Sequence, residues 1–210
     1  KHKIIPTILS RCQIFDFKRI SVTDAKNYLT EIAKAQGIDA EDDALHIIAQ
    51  KADGAMRDAL SIFDRVVSYS GNSLTREAVS KNLNVLDYDV FFKSTSLILE
   101  NKIPELLVYF DEILKNGFDG QHYIAGLASH FRDLMVCKNP QTIPLLEVGE
   151  TAKHMYQEQS QKCALGFLKE SIIIANNCDL NYKLSKNQRL LVELSLMQLA
   201  SVTFDGAKKK

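Results

Sequence analysis

The chain has 210 residues, of which 46% are apolar and only four are prolines, so it is long enough to bury a substantial core. Lysine plus arginine and aspartate plus glutamate each number 26, so there is no overall positive field of the kind that binds nucleic acid non-specifically, and only a local basic patch is left open. Four widely spaced cysteines match neither a zinc ligand set nor a disulfide framework, and no apolar run could span a bilayer. These features predict a soluble cytoplasmic protein that has no membrane partner.

The first predicted element is a short strand that ends near Phe17, in the run TILSRCQIFDF. Its apolar residues are expected to be anchored in a core: Ile8, Leu9, Phe15 and Phe17. The Ser-Arg-Cys step between them would then be a tight connection from which Arg11 projects, a setting that suits an arginine that meets a phosphate. An ordinary exposed arginine beside Cys12, a small core residue, is the alternative that spacing leaves open.

Four short helices are predicted next. Ser21 and Asp24 resemble a capping box, and an apolar stripe follows until Gly37 closes the first helix. The second helix begins in the acidic turn DAEDD and ends before Gly54. The third runs from about 55 to 70, and Thr75 caps a fourth that ends near residue 83.

A second and larger block of helices follows the turn NVLDYD, in which Asp87 or Asp89 can cap. Its helices are predicted over 88–101, 103–116, 120–138, 150–160, 163–180 and 186–203. Pro140 and Pro144 prevent a continuous helix in the long connection NPQTIPLLEVG. The predicted fold class is all-α: a small helical bundle and then a larger one, after a short N-terminal strand.

Motifs of hydrolytic and metal chemistry are absent from the sequence. It contains no P-loop, and no GxGxxG, HExxH, GxSxG or CxxC pattern, so the chain is not expected to hydrolyse anything alone. His122 and His130 are two turns apart on one predicted helix, too far to share a metal directly. Surface or partly buried histidines are the expected reading, and no metal site is predicted.

Arg57, in ADGAMRDALSIFD, is the second arginine of interest. It falls in the first turn of its predicted helix, where a positive charge opposes the helix dipole. Asp53 or Asp58 can offset that charge structurally. A bound anion is the functional alternative, because helix N-termini bind phosphate.

Two stretches together, KIIPTILSRCQIFDFKRI and ADGAMRDALSIFDRVVSYSGNSLT, strongly resemble the gamma/tau type of bacterial DNA polymerase III clamp-loader subunit. The final stretch NQRLLVELSLMQLAS resembles the last collar helix of that family, so the resemblance covers essentially the whole chain. It implies that Arg11 is a trans arginine finger that reaches the ATP of a neighbouring subunit. It also implies that Arg57 is the sensor-2 arginine, which contacts the nucleotide of its own subunit and is held by Asp58.

The resemblance also implies a domain organisation. Residues 1–17 would be the end of an AAA+ core with the SRC motif, 18–85 its helical lid, 86–205 the collar or oligomerisation domain, and 206–210 the start of a linker. The P-loop, the acidic magnesium-binding motif, the first sensor and the zinc module of the family do not occur in this sequence. We therefore expect a piece of a longer protein whose parent is an AAA+ ATPase that binds ATP and magnesium, with no cofactor bound to this piece.

The implied function is subunit assembly within an ATP-driven loader that places a sliding clamp on primed DNA. The implied partners are gamma/tau copies, delta and delta-prime subunits, with the clamp and DNA contacted through the whole complex. A self-contained helical protein-binding module and a delta-prime-type subunit are the alternatives. The GxxRDAL context and the lysine-rich terminus favour gamma/tau.

Overall fold

The fold is built almost entirely from α-helices. The computed structural model describes residues 4–15, 17–146 and 148–205. In chain order the helices are α1 (Pro6–Leu9), α2 (Val22–Gln36), α3 (Asp42–Lys51), α4 (Met56–Ser70), α5 (Arg76–Leu83), α6 (Tyr88–Leu99), α7 (Ile103–Lys115), α8 (Gly120–Val136), α9 (Glu150–Lys162), α10 (Leu165–Tyr182) and α11 (Gln188–Asp205). The predicted all-α class is confirmed.

Helices α2 to α5 form the first bundle, which we call the lid bundle. Ser21 caps α2 by accepting a hydrogen bond from the backbone of Asp24, and Gly37 ends the helix in the left-handed conformation, with a φ of 68°. Thr75 caps α5 in the same way as Ser21, through the backbone N–H of Ala78. All four predicted helices are confirmed, because each has an apolar stripe in local sequence, and α2 and α5 also have a capping residue.

The lid bundle also contains a two-residue parallel sheet that the sequence analysis did not predict. Strand β1 (Asp39–Ala40) precedes α3 and strand β2 (Ser73–Leu74) precedes α5, with Asp39 opposite Ser73. Two residues are too few to show an alternating pattern. The pairing places the first turns of α3 and α5 side by side.

Helices α6 to α11 form the second bundle, which we call the collar bundle. Helix α8 packs along α10 at its centre, and α11 lies against α10 and α6. Large, fully buried side chains fill this core: Ile98, Leu106, Phe110, Tyr123, Ile124, Leu127 and Phe131. The six predicted helices are confirmed, and a single 3₁₀ turn, Ile143–Leu145, interrupts the proline-containing connection.

The N-terminal segment differs from its prediction. Pro6 opens the four-residue helix α1, and no strand occurs in residues 4–15 or 17–20. The expectation that the apolar residues around Arg11 are anchored in a core is wrong for Phe15 and Phe17, which are 70% and 93% exposed, and for Ile8, which is half exposed. A strand needs a neighbouring strand to pair its backbone, and the described residues supply none here.

The two bundles have separate hydrophobic cores, one centred on Phe63 and the other on Phe131. The predicted boundaries near residues 17, 85 and 205 stay predictions, and the predicted linker at 206–210 lies outside the described residues.

None of the helices in the described part of the chain combines the length and apolar character that a bilayer-spanning helix needs.

Candidate functional site

The candidate site lies where the loop between α3 and α4 leads into the first turn of α4. Asp53 and Gly54 both have positive φ angles, 48° and 78°, so the chain turns sharply before α4 begins at Met56. Arg57 is the second residue of this helix and is exposed. The loop therefore determines the position and direction of the first turn of α4, from which the Arg57 side chain extends.

Arg19, in the segment that follows Arg11, binds Asp53 in this loop. Its Nη1 donates a hydrogen bond to the backbone carbonyl of Asp53 at 2.8 Å and also forms an ion pair with the Asp53 carboxylate. The side-chain hydrogen bond to Asp53 is the main reason that the pKa of Arg19 is raised. Both side chains are largely exposed, so the ion pair contributes little to the free energy of folding. Its effect is to fix the position of the loop relative to the N-terminal segment.

Gly54 allows the segment to approach closely. The backbone N–H of Ile20 donates to the carbonyl of Gly54 at 3.2 Å. A Cβ atom placed on Gly54 would lie 2.6 Å from the Cβ of Arg19, closer than two carbon atoms pack without strain. The structure thus ties the segment that follows Arg11 to the loop that precedes Arg57.

Arg57 has neither of the carboxylate partners that the sequence suggested. Asp53 pairs with Arg19 instead, and no hydrogen bond or ion pair joins the Arg57 guanidinium to Asp58 in the described part of the chain. The expectation that Asp58 holds Arg57 is therefore wrong in this structure. An exposed cation remains in the first turn of α4, where the helix dipole is also positive, and both favour an anion.

Arg11 lies in the turn that follows α1. Its backbone N–H donates to the carbonyl of Ile8 at 3.1 Å, and the Ser10 hydroxyl donates to the carbonyl of Thr7 at 3.2 Å. The Arg11 side chain is exposed, as is Cys12. The alternative that made Cys12 a core residue is wrong, and the roles predicted for Arg11 and Arg57 stay predictions.

Exposed apolar side chains on the collar bundle form a second candidate surface, for protein contact. Most apolar side chains of α10 and α11 are buried or partly buried, as expected. Between residues 173 and 194, however, five large side chains are exposed or nearly half exposed, four on the two helices and Leu184 in their connection: Ile173, Leu180, Leu184, Leu190 and Leu194. We call these five residues the collar patch. Clusters of exposed apolar side chains are typical of contact surfaces.

His130 corrects the expectation of surface or partly buried histidines. Its side chain is 1% exposed, and burial lowers its pKa to about 4. Its spacing from Tyr123, Leu127 and Phe131 on one face of α8 is the sequence signal that indicated burial. No group of three or more metal-ligating side chains occurs among the residues that the structure describes.

Comparison with known proteins places these features in a family context. Residues 24–72 match the family described as DNA polymerase III clamp loader subunit, ATPase lid domain. The tau subunit of DNA polymerase III from Bacillus subtilis (strain 168) is 32% identical over 209 residues, 98% of this chain and 37% of that protein. The gamma subunit of Buchnera aphidicola subsp. Schizaphis graminum is 27% identical over 93% of this chain and 54% of that protein.

A solved structure shares the fold. The Bacillus subtilis DNA clamp loader delta protein superposes with a TM-score of 0.51 over 92% of this chain and 60% of that chain. Its sequence identity is 18%, so the likeness is one of fold. The chain spans between about a third and about half of the length of the curated relatives given above.

Proposed function

The chain carries the ATPase lid domain of DNA polymerase III clamp loader subunits and is related to their gamma/tau subunits along nearly all of its length, and on this premise we propose that it serves as the lid and assembly region of such a subunit. The parent would use ATP to place a sliding clamp on primed DNA in the cytoplasm. The observation that carries the proposal is the 32% identity to a tau subunit over 98% of the chain.

The two arginines are the proposed nucleotide contacts. Arg57 is exposed in the first turn of α4 and lacks a carboxylate partner among the described residues, which supports a role in binding phosphate of the nucleotide held by its own subunit. Arg11 is exposed on a turn, which supports a role as a finger that reaches a neighbouring subunit. A guanidinium suits both tasks, because its planar fork binds two phosphoryl oxygens at once.

ATP and magnesium are proposed for the parent protein alone. The sequence contains no P-loop to cradle the phosphates, so the residues present supply contacts to a nucleotide and not the site that holds it. We expect no hydrolysis by this chain alone.

The collar bundle is proposed to join other clamp-loader subunits, namely gamma/tau copies, delta and delta-prime. The collar patch supports this, because its leucines are exposed on α10, on α11 and in the connection between them. The test is light scattering of the chain across a concentration series, alone and mixed with purified delta and delta-prime. Association in either condition is expected, and substitution of Leu180 and Leu184 by serine should weaken it. A chain that stays monomeric in every mixture would instead favour a self-contained binding module.

A further inference from the structure

Three helices begin next to one another at the junction between the two bundles, α3, α5 and α6, as the contacts among their first residues show. Arg76 is the first residue of α5, in the lid bundle, whereas Asp87 and Asp89 lie at the start of α6, in the collar bundle. The Nε of Arg76 lies 3.1 Å from Oδ2 of Asp87, and its Nη2 lies 2.6 Å from Oδ2 of Asp89. One guanidinium therefore binds two carboxylates across the junction.

Tyr88, between the two aspartates, adds a second link. The guanidinium carbon of Arg76 lies 4.3 Å from the centre of the Tyr88 ring, within cation–π distance. On the lid side, the Tyr88 hydroxyl lies 3.3 Å from Oδ2 of Asp43 in α3 and donates to it. Burial raises the pKa of Tyr88 to about 12, so this hydroxyl keeps its proton at neutral pH.

The lid side of the cluster is itself fixed. The backbone N–H of Arg76 donates to Oε2 of Glu41 at 2.7 Å, and the backbone N–H of Glu41 donates to the carbonyl of Leu74. Arg76 therefore extends from a position set by β2 and by the N-terminus of α3. A long side chain that starts from a fixed backbone loses less freedom when it forms an ion pair.

Partial burial strengthens the attraction between these charges but also costs desolvation, since burial raises the pKa of Asp87 although the charge of Arg76 lowers it. The side chains of Arg76 and Asp87 are 24% and 21% exposed, so water screens them less than an ordinary surface pair. Burial opposes the charge on Arg76, but the hydrogen bond to Asp89 and the charge of Asp87 outweigh it and raise the pKa of Arg76. Removal of the arginine would leave two nearby carboxylates without their cation, which is costly.

The rest of the junction is loosely packed. The two hydrophobic cores are separate, and a cavity of about 290 Å³ lies between the bundles, lined by residues that include Asp43, Val85, His122 and Val148. Asn84, at the end of α5, adopts a left-handed φ of 50° and begins the short connection to α6. No helix pair across the junction is among the closely packed pairs of the described residues, so few apolar contacts there constrain the angle between the bundles.

We propose that Arg76, Asp87, Tyr88, Asp89 and Asp43 form a polar latch that holds the lid and collar bundles in one relative orientation, and that loss or screening of its charges frees the hinge at residues 84–87. Two bundles that are linked by a polar cluster and a short connection have the features of a hinge. An ion-pair cluster can keep one orientation dominant at low salt and lose that advantage as salt rises.

The latch has a functional consequence that rests on the proposed function. The lid bundle carries Arg57, and the collar bundle carries the proposed assembly surface. The latch would therefore fix the angle at which nucleotide-contacting residues are presented to the assembled ring. The geometry of the latch itself can be tested on this chain without nucleotide or partner subunits.

The experiment is a distance measurement between spin labels by pulsed electron resonance. Labels are placed on the exposed positions Lys34 of α2 and Lys169 of α10, each changed to cysteine, after the accessible Cys12 and Cys137 are changed to serine. The parent background should give one narrow distance distribution at low salt. Arg76→Gln should broaden or split that distribution, and high salt should broaden the parent's distribution but change the variant's little.

Arg189→Gln is the matched control, because Arg189 also binds two carboxylates, those of Asp111 and Glu193, but within the collar bundle. It should leave the distance distribution unchanged. Asp89→Asn is a milder second variant that keeps the Arg76 side chain and its backbone bond to Glu41, and it should broaden the distribution partly. A narrow and salt-independent distribution in both folded latch variants would overturn the proposal, whatever the outcome of the assembly and nucleotide tests.

Discussion

The Nδ1 of His130 lies 3.0 Å from the hydroxyl of Tyr156, and this pair joins α8 to α9 in the interior of the collar bundle. The other ring nitrogen, Nε2, lies 3.0 Å from Oε1 of Gln159, whose Nε2 donates to the carbonyl of Phe92 at 2.9 Å. The Gln159 oxygen is therefore the acceptor, so the neutral ring donates from Nε2 and accepts the Tyr156 proton at Nδ1. A protonated ring would donate from both nitrogens, so Nδ1 could no longer accept the hydrogen bond from the Tyr156 hydroxyl.

This network predicts that acid destabilises the protein through His130. The pKa falls from 6.5 to about 4 on folding, chiefly because burial disfavours the charge. Below pH 6.5 the unfolded chain binds a proton that the folded protein does not, so stability present above pH 6.5 is lost as the pH falls toward 4. The loss should approach about 1.4 kcal/mol per pH unit and about 3 kcal/mol in total.

Urea unfolding at pH 7.5, 6.5, 5.5 and 5.0 measures this dependence. The upper part of the range separates His130 from the carboxyl groups, most of which titrate near pH 4. His130→Gln should remove most of the slope between pH 6.5 and 5.0, whereas His122→Gln, at an exposed position of the same helix, should keep it. Equal slopes in both variants would show that another group is responsible.

The separate cores predict separate stabilities. Phe63 in the lid bundle and Phe131 in the collar bundle are both fully buried, so Phe63→Ala and Phe131→Ala remove the same ring from different cores. Each should lower local stability by about 3–5 kcal/mol. Hydrogen exchange should show faster opening mainly in 22–83 for the first variant and mainly in 88–205 for the second. Equal acceleration of both regions by either variant would mean one cooperative unit.

The sequence predicted helices well because their signals are local. Ser21, Gly37 and Thr75 mark ends, and the apolar stripes between such residues identify the buried faces. Asp87 or Asp89 was predicted to cap, and Asp87 does occupy the N-cap of α6, where its carboxylate binds Arg76. That partner belongs to another helix, and no spacing rule connects the two.

The candidate site was predicted only in part, for a similar reason. An apolar pattern predicts that side chains such as Phe15 and Phe17 pack against other residues. It does not show whether the described residues provide a surface for them, and here they are exposed. The Arg57 position followed from its motif, whereas the pairing of Asp53 with Arg19 is a tertiary contact across 34 positions. Both corrections come from contacts that depend on the whole fold.

Gly54 offers a test of the joint between the N-terminal segment and the lid bundle. Gly54→Ala places a methyl group in a left-handed conformation and against Arg19, so it combines backbone strain with a steric clash. Gly37→Ala is the control, because Gly37 has a similar φ of 68° but no neighbour within 4 Å of the added carbon. We expect Gly37→Ala to cost about 1 kcal/mol of unfolding free energy and Gly54→Ala to cost about 1–3 kcal/mol more.

Thermal and urea unfolding of the two variants measure this difference. Arg19→Gly should reduce the extra cost of Gly54→Ala in a double-mutant cycle, because it removes the Cβ that would lie 2.6 Å from the added carbon. Equal destabilisation by Gly54→Ala and Gly37→Ala would show that the segment does not pack against the loop in solution.

Arg11 is predicted to act on a nucleotide held by a neighbouring subunit. In the full-length subunit assembled with its partners, Arg11→Ala should lower clamp-stimulated ATP hydrolysis roughly a thousandfold or more while nucleotide binding stays largely intact. Arg11→Lys should recover little, because an ammonium lacks the two-pronged geometry. Unchanged hydrolysis, with assembly intact by light scattering, would remove the assignment of Arg11 as a finger.

Arg57 is predicted to act on the nucleotide of its own subunit, so its loss should appear first in binding. Arg57→Ala should weaken ATP affinity of the full-length subunit about tenfold or more, since a charge-assisted contact to phosphate contributes about 1.5–3 kcal/mol. Arg65→Ala is the matched control, an exposed arginine on the same helix two turns farther from its N-terminus. Equal affinity changes in the two variants would indicate a general effect of charge on α4. A specific loss at Arg57 would place the phosphate at the N-terminus of that helix.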